Sequence, residues 1–122
     1  MDVFGFPEQQ WNEAKKQAVH ALAERARLRG MIPYSELTKH IKAIPFEAHD
    51  VRLDQLLGEI STEEDAAGHG MLSVIVVRKH GDMEPGRGFF ELAGQLGRDT
   101  SNTTACWVNE SKKVHSYWEK TA

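Results

Sequence analysis

The chain has 122 residues, 40% of them hydrophobic and 27% charged, with a net charge of −3 at pH 7. That length makes one domain, residues 1–122, of ordinary globular composition. The single cysteine excludes an internal disulfide and a cysteine-rich zinc finger, the charge disfavours a general polyanion binder, and without an apolar run of about twenty residues no membrane partner is expected.

Met1-Asp2-Val3-Phe4-Gly5-Phe6 is acidic and carries no export signal, so the expected compartment is the reducing cytoplasm. Charge is mildly uneven. Residues 1–66 hold 8 Lys/Arg against 12 Asp/Glu, and residues 67–122 hold 7 against 6.

The first helix is predicted from about Pro7 to Arg29. Proline suits a first turn, and Trp11, Ala14, Ala18, Leu22 and Ala26 form one apolar stripe. Arg25, Arg27 and Arg29 complement the negative end of the dipole, and Gly30 is the expected cap. After an extended link, residues 34–42 form a second amphipathic helix with Leu37, Ile41 and Ile44 at i, i+4 and i+7, stopped by Pro45. A third helix begins near Asp50, with Leu53, Leu56, Leu57 and Ile60 on one face. Ser61 and Glu64 read as a fresh capping box that starts one more turn, ending at Gly68. Met71 to Val77 is apolar and β-branched and reads as a strand covered on both faces. Residues 80–88, with three glycines and a proline, form a turn or long hairpin loop. Phe89 to Leu96 is either a short helix ending at Gly97 or a returning strand, and the spacing of Phe89, Ala93 and Leu96 favours the helix. The last helix starts near Thr103 or Thr104 with Trp107, Ser111, Val114 and Trp118 in line.

Three helices, a strand and an extended glycine-rich loop make the layout of a winged helix, the loop being the wing. The expected fold is therefore α/β, mostly helical. It is a winged-helix-like single domain with a short sheet or hairpin, its N- and C-terminal helices packed beside each other.

Pro33-Tyr34-Ser35-Glu36-Leu37, Leu56-Leu57-Gly58-Glu59-Ile60-Ser61, Leu72-Ser73-Val74-Ile75-Val76-Val77 and Pro85-Gly86-Arg87-Gly88-Phe89-Phe90-Glu91-Leu92-Ala93 carry a resemblance. Over residues 32–96 the chain resembles small uncharacterised bacterial and mobile-element proteins with a winged-helix-like core. Tyr34-Ser35-Glu36-Leu37 is also similar to a helix start in the winged-helix domain of alkylguanine-DNA alkyltransferases. Their Pro-Cys-His-Arg active site is missing here, where Ala105-Cys106-Trp107 stands, so alkyl transfer is not carried over. The resemblance implies a fold and no site residues.

Of the six histidines (His20, His40, His49, His69, His80 and His115), none stands at i, i+3 or i+4 from another. No metal or other cofactor is expected. Cys106 lies at a helix start, which favours a thiolate, but no second motif completes a nucleophile. A small buried residue beside Trp107 is the expectation, and the chain reads as non-enzymatic. Pro85-Gly86-Arg87-Gly88 precedes a helix, where amides can hold an anion, yet the Gly-Lys-Ser/Thr ending of a P-loop is absent.

The fold suggests DNA as partner. The candidate nucleic-acid-binding residues are Lys39 and Lys42 of the second helix, Arg52 of the third, and Arg78, Lys79 and Arg87 around the wing. Asp54 and Glu59 on the third helix have the wrong sign for phosphates, and the link before it is long for a DNA-reading turn. The alternative is a protein-interaction or immunity-like module whose acidic N-terminal half faces a basic protein partner. Trp11, Trp107 and Trp118 either pack the terminal helices together or leave an apolar face for a homodimer.

Overall fold

The computed structural model describes residues 2–47, 49–78 and 85–121. A tight hairpin comes first: β1 (Asp2–Val3) pairs antiparallel with β2 (Phe6–Pro7). Phe4 and Gly5 between them take φ of 52° and 82°, the two left-handed residues that a two-residue hairpin turn needs.

Helix α1 (Glu8–Arg27) follows, with Trp11, Ala14, Ala18, Leu22 and Ala26 buried as the spacing predicts. It stops short of the expected Arg29. The N–H groups of Arg29 and Gly30 bond back to the carbonyls of Ala26 and Arg25 at 2.9 and 3.1 Å. This closure puts the left-handed conformation on Arg29, φ 55°, one residue before the predicted Gly30. Gly30 is needed for space instead, since a Cβ there would lie 2.8 Å from Arg25 Cδ. The Arg25 side chain crosses that point to donate to the Met31 carbonyl at 2.7 Å and to pair with Glu36.

Strand β3 (Ile32–Pro33) leads into α2 (Tyr34–His40). The predicted second helix ran on to Lys42, but the chain leaves helical geometry at Ile41. Gln17 of α1 explains this: its Oε1 accepts from the N–H groups of both Lys42 and Ala43, at 2.7 and 2.8 Å. Ile41, Ile44 and Phe46 still reach the core from an irregular link.

Helix α3 (Val51–Ala66) is capped by the Asp50 side chain, which accepts from Arg52 N–H at 2.9 Å. The break predicted at Ser61 does not occur. Ser61 is fully buried, and its Oγ meets Ser73 Oγ at 2.6 Å and accepts from Ser73 N–H at 3.0 Å. Its hydroxyl is thus used across the core and caps nothing.

The predicted strand from Met71 to Val77 is corrected too. Leu72–Ile75 form a 3₁₀ turn, and only β4 (Val76–Val77) is extended, pairing parallel with β3. Every residue from Met71 to Val77 is buried. A run apolar on all sides carries no period that separates strand from buried helix. Helix α4 (Arg87–Gln95) and helix α5 (Thr103–Glu119) complete the fold. Gly97, φ 93°, closes α4, and Asn102 caps α5 by accepting from Ala105 N–H at 3.0 Å.

Among the described residues the fold is mostly helical, with two very small sheets. Helix α5 lies along α1. The Nε2–H of His115 donates to the Gly30 carbonyl at 3.1 Å, Arg27 Nε to the Thr121 carbonyl at 3.0 Å, and Arg29 pairs with Glu119 at 2.6 Å. A buried polar knot fixes the other side of α5. The Glu110 carboxylate accepts from Met71 N–H at 2.8 Å and from Arg98 at 3.0 Å, and Arg98 reaches on to Asp65 at 2.6 Å.

Candidate nucleic-acid interface

Lys39 sits in the last turn of α2 and Lys42 just beyond it, both exposed. Among the described residues neither side chain has an ion pair. Arg78 follows β4 and is exposed. Arg87 opens α4 with its side chain 93% exposed, 3.3 Å from Glu91. Lys79 and His80 lie outside the described residues, as does most of the loop read as a wing.

Arg52 has a different position from the one expected. Its guanidinium donates to both Asp50 oxygens at 2.8 and 2.6 Å and lies over the rings of Phe6 and Phe46, 5.2 and 5.8 Å from their centres. It clamps the start of α3 to the hairpin, and a base-reading arginine would have to break those contacts. The Arg52 hydrogen bond holds the Asp50 carboxyl down at about 2 against the opposing effect of burial.

Between α3 and the start of α4 lies a cleft of about 440 Å³. Tyr34, Asp54, Ser73, Gly86 and Arg87 line it. Gly86 is the N-cap of α4 and offers no side-chain acceptor, so the first-turn amides keep their partial positive charge. Burial, then the Asp54 charge, raises the Tyr34 hydroxyl, while the Gly86 amide and the Arg78 charge pull it back. Asp54 itself is raised by desolvation and then by the Asp50 charge. Arg87 therefore borders this cleft. Lys39 lies five residues along α2 from Tyr34, about 7.5 Å at a helical rise. Sequence reasoning named Asp54 only as a charge of the wrong sign and missed Tyr34 and Ser73, which meet it only through tertiary packing.

Several carboxylates of the acidic half have partners within the chain. Glu59 and Glu63 share Lys15 at 2.9 Å, Glu24 pairs with Arg27, Glu36 with Arg25, Glu64 with His69 and Asp65 with Arg98. Burial disfavours the Glu59 anion, but hydrogen bonds from Gln55, Lys15 and Trp11 outweigh it and lower its pKa. The tryptophans are drawn inward. Trp11 is 2% exposed and donates to Glu59 at 3.1 Å, and Trp107 and Trp118 are half-buried against the core.

Among the described residues no three His, Cys, Asp or Glu side chains gather as a metal would need. His69 stacks on Tyr117 with ring centres 3.9 Å apart, and His115 is tied to Gly30. Cys106 is buried, and desolvation followed by the Glu110 charge raises its thiol. Those surroundings disfavour the nucleophilic thiolate. Among the described residues no helix is long and apolar enough to cross a membrane. No protein-family model, curated protein or solved structure matches the chain.

Proposed function

We propose that the chain is a non-enzymatic, winged-helix-like module that binds nucleic acid through its phosphate backbone. Lys39, Lys42, Arg78 and Arg87 supply the charge, and the uncapped start of α4 supplies amide donors. The observation that carries this reading is the distribution of pairing: Lys39 and Lys42 are exposed without an ion pair among the described residues, whereas Glu24 of α1 and Glu59, Glu63 and Asp65 of α3 each have a cationic partner within the fold. The same pairing leaves a basic protein partner fewer unmatched carboxylates to engage. The order α1, β3, α2, α3, β4 supports the winged-helix description, while the β3–β4 pairing is parallel and is not itself a wing hairpin. Asp54 and Glu91 beside the cleft disfavour close approach of phosphate there, so contacts belong to the long cationic side chains at its rim.

Fluorescence anisotropy with labelled duplex and single-stranded DNA tests the reading. Four phosphate contacts give a slope near −3.6 in log K against log salt on duplex, about a 100-fold loss between 50 and 200 mM. Arg87→Ala is expected to weaken binding and flatten that slope by about one. Arg52→Ala is expected to lower stability and leave the slope unchanged. Absence of binding at 50 mM salt and micromolar protein overturns the proposal.

A further inference from the structure

The described part of the link between α2 and α3 holds no helix or strand, so its backbone polar groups need partners from elsewhere. Ile41, Ile44 and Phe46 are buried and anchor the link to the core. Lys42 stands between two of these anchors with its side chain in solvent.

Two glutamines of α1 supply the missing partners. Gln17 Oε1 accepts from Lys42 N–H at 2.7 Å and from Ala43 N–H at 2.8 Å, and Gln10 Nε2 donates to the Ala43 carbonyl at 2.8 Å. Gln10 and Gln17 are seven residues apart, two turns and about 10.5 Å along one face of α1. Two successive N–H groups that converge on one oxygen form the kind of concavity that holds anions. Here a neutral amide fills it, where a carboxylate would set a negative charge beside Lys42. Glu13, between the two glutamines on α1, makes no ion pair with Lys42 among the described residues.

We infer that Gln17, supported by Gln10, is a positioning residue for nucleic-acid binding: it fixes the backbone of Lys42 so that the ammonium meets phosphate from a link already ordered. That role rests on the reading of Lys42 as a phosphate contact, and Gln17 itself touches no nucleic acid. A segment held in place before binding does not have to be ordered at the interface, which would weaken association. Lys39 is held by the turns of α2 and owes nothing to Gln17.

Anisotropy with labelled duplex DNA at 50 mM salt is the test. It is run on the original chain, on Lys42→Ala and on Lys39→Ala, each with and without Gln17→Ala. In the original chain Gln17→Ala is expected to weaken binding about fivefold, the effect of ordering roughly one backbone residue. In Lys42→Ala the same change is expected to weaken it less than about twofold, and in Lys39→Ala by the full amount of about fivefold. A merely structural role for Gln17 would weaken all three chains alike. Alanine suits a helix interior, so α1 tolerates the change. Hydrogen exchange gives a readout without DNA: the Lys42 and Ala43 amides are expected to exchange roughly tenfold faster in Gln17→Ala, and the Leu22 amide at its original rate. Gln10→Ala is expected to shift binding in the same direction by a smaller factor. An equal loss in the original and Lys42→Ala chains overturns the role, as does unchanged binding by Gln17→Ala or unchanged exchange at residues 42 and 43. If the original chain does not bind DNA, the nucleic-acid reading falls and takes this role with it. If it binds and the two changes are additive, the role alone falls.

Discussion

Replacing Gly70 with alanine tests how closely α5 is seated. Gly70 has φ 90°, and a Cβ would meet Val114 Cγ2 at 3.1 Å, Glu110 Oε2 at 3.2 Å and Lys113 Cγ at 3.3 Å. Left-handed strain and the contact with α5 together cost about 2–4 kcal/mol, and the expected result is a melting temperature lower by roughly 10 °C. Glu110 carries a larger share. It is 4% exposed, and it answers both the Met71 amide and the Arg98 guanidinium. Glu110→Gln leaves Arg98 with Asp65 alone, and chemical denaturation is expected to show a loss of about 3 kcal/mol. Acid sensitivity resides in the carboxylates whose pKa values fall on folding. Hydrogen bonds from Arg98 lower Asp65, and those from Arg52 hold Asp50 at about 2. Their stabilisation is complete above the unfolded carboxyl value of about 4 and disappears as pH falls towards 2. Urea midpoints measured from pH 7 to pH 2 are expected to be level at first and to drop below pH 4, and Asp50→Asn is expected to flatten the drop.

At the scale of elements, caps decide where helices begin. Asn102→Ala removes the acceptor for Ala105 N–H and is expected to cost about 1 kcal/mol by thermal melting. Such local signals are why α1, α4 and α5 were largely legible in the sequence: each joins an apolar stripe to a recognisable start or stop. Where the reading failed, a residue had been claimed by a distant partner. Ser61 has the chemistry of a cap, but Ser73 uses it. Lys42 continues a helical pattern, but Gln17 takes its amide. Met71 to Val77 shows only that it is buried. The candidate interface was legible to a similar degree. Exposed cations such as Lys39 and Arg87 can be named from the chain, whereas the pairing of Arg52 and the meeting of Tyr34, Asp54 and Ser73 depend on long-range packing.

For the molecule as a whole, α5 closes the core that α1 begins. Cys106 and Val114 join the same buried cluster as Trp11, Leu22 and Ala26, and the Arg27, Arg29 and Gly30 contacts tie the two helices at their ends. A chain stopped at Asn102 is expected to lose cooperative melting and to bind a hydrophobic dye, as circular dichroism and fluorescence would record. The arrangement also bears on how the protein comes off the ribosome. Residues 28–102 separate α1 from the helix that covers it. At about 5–20 residues per second, the apolar stripe of α1 waits roughly 4–15 s for that cover. Through that interval the nascent chain presents Leu22 and its neighbours to whatever shields newly made protein, and native closure is timed by the arrival of α5.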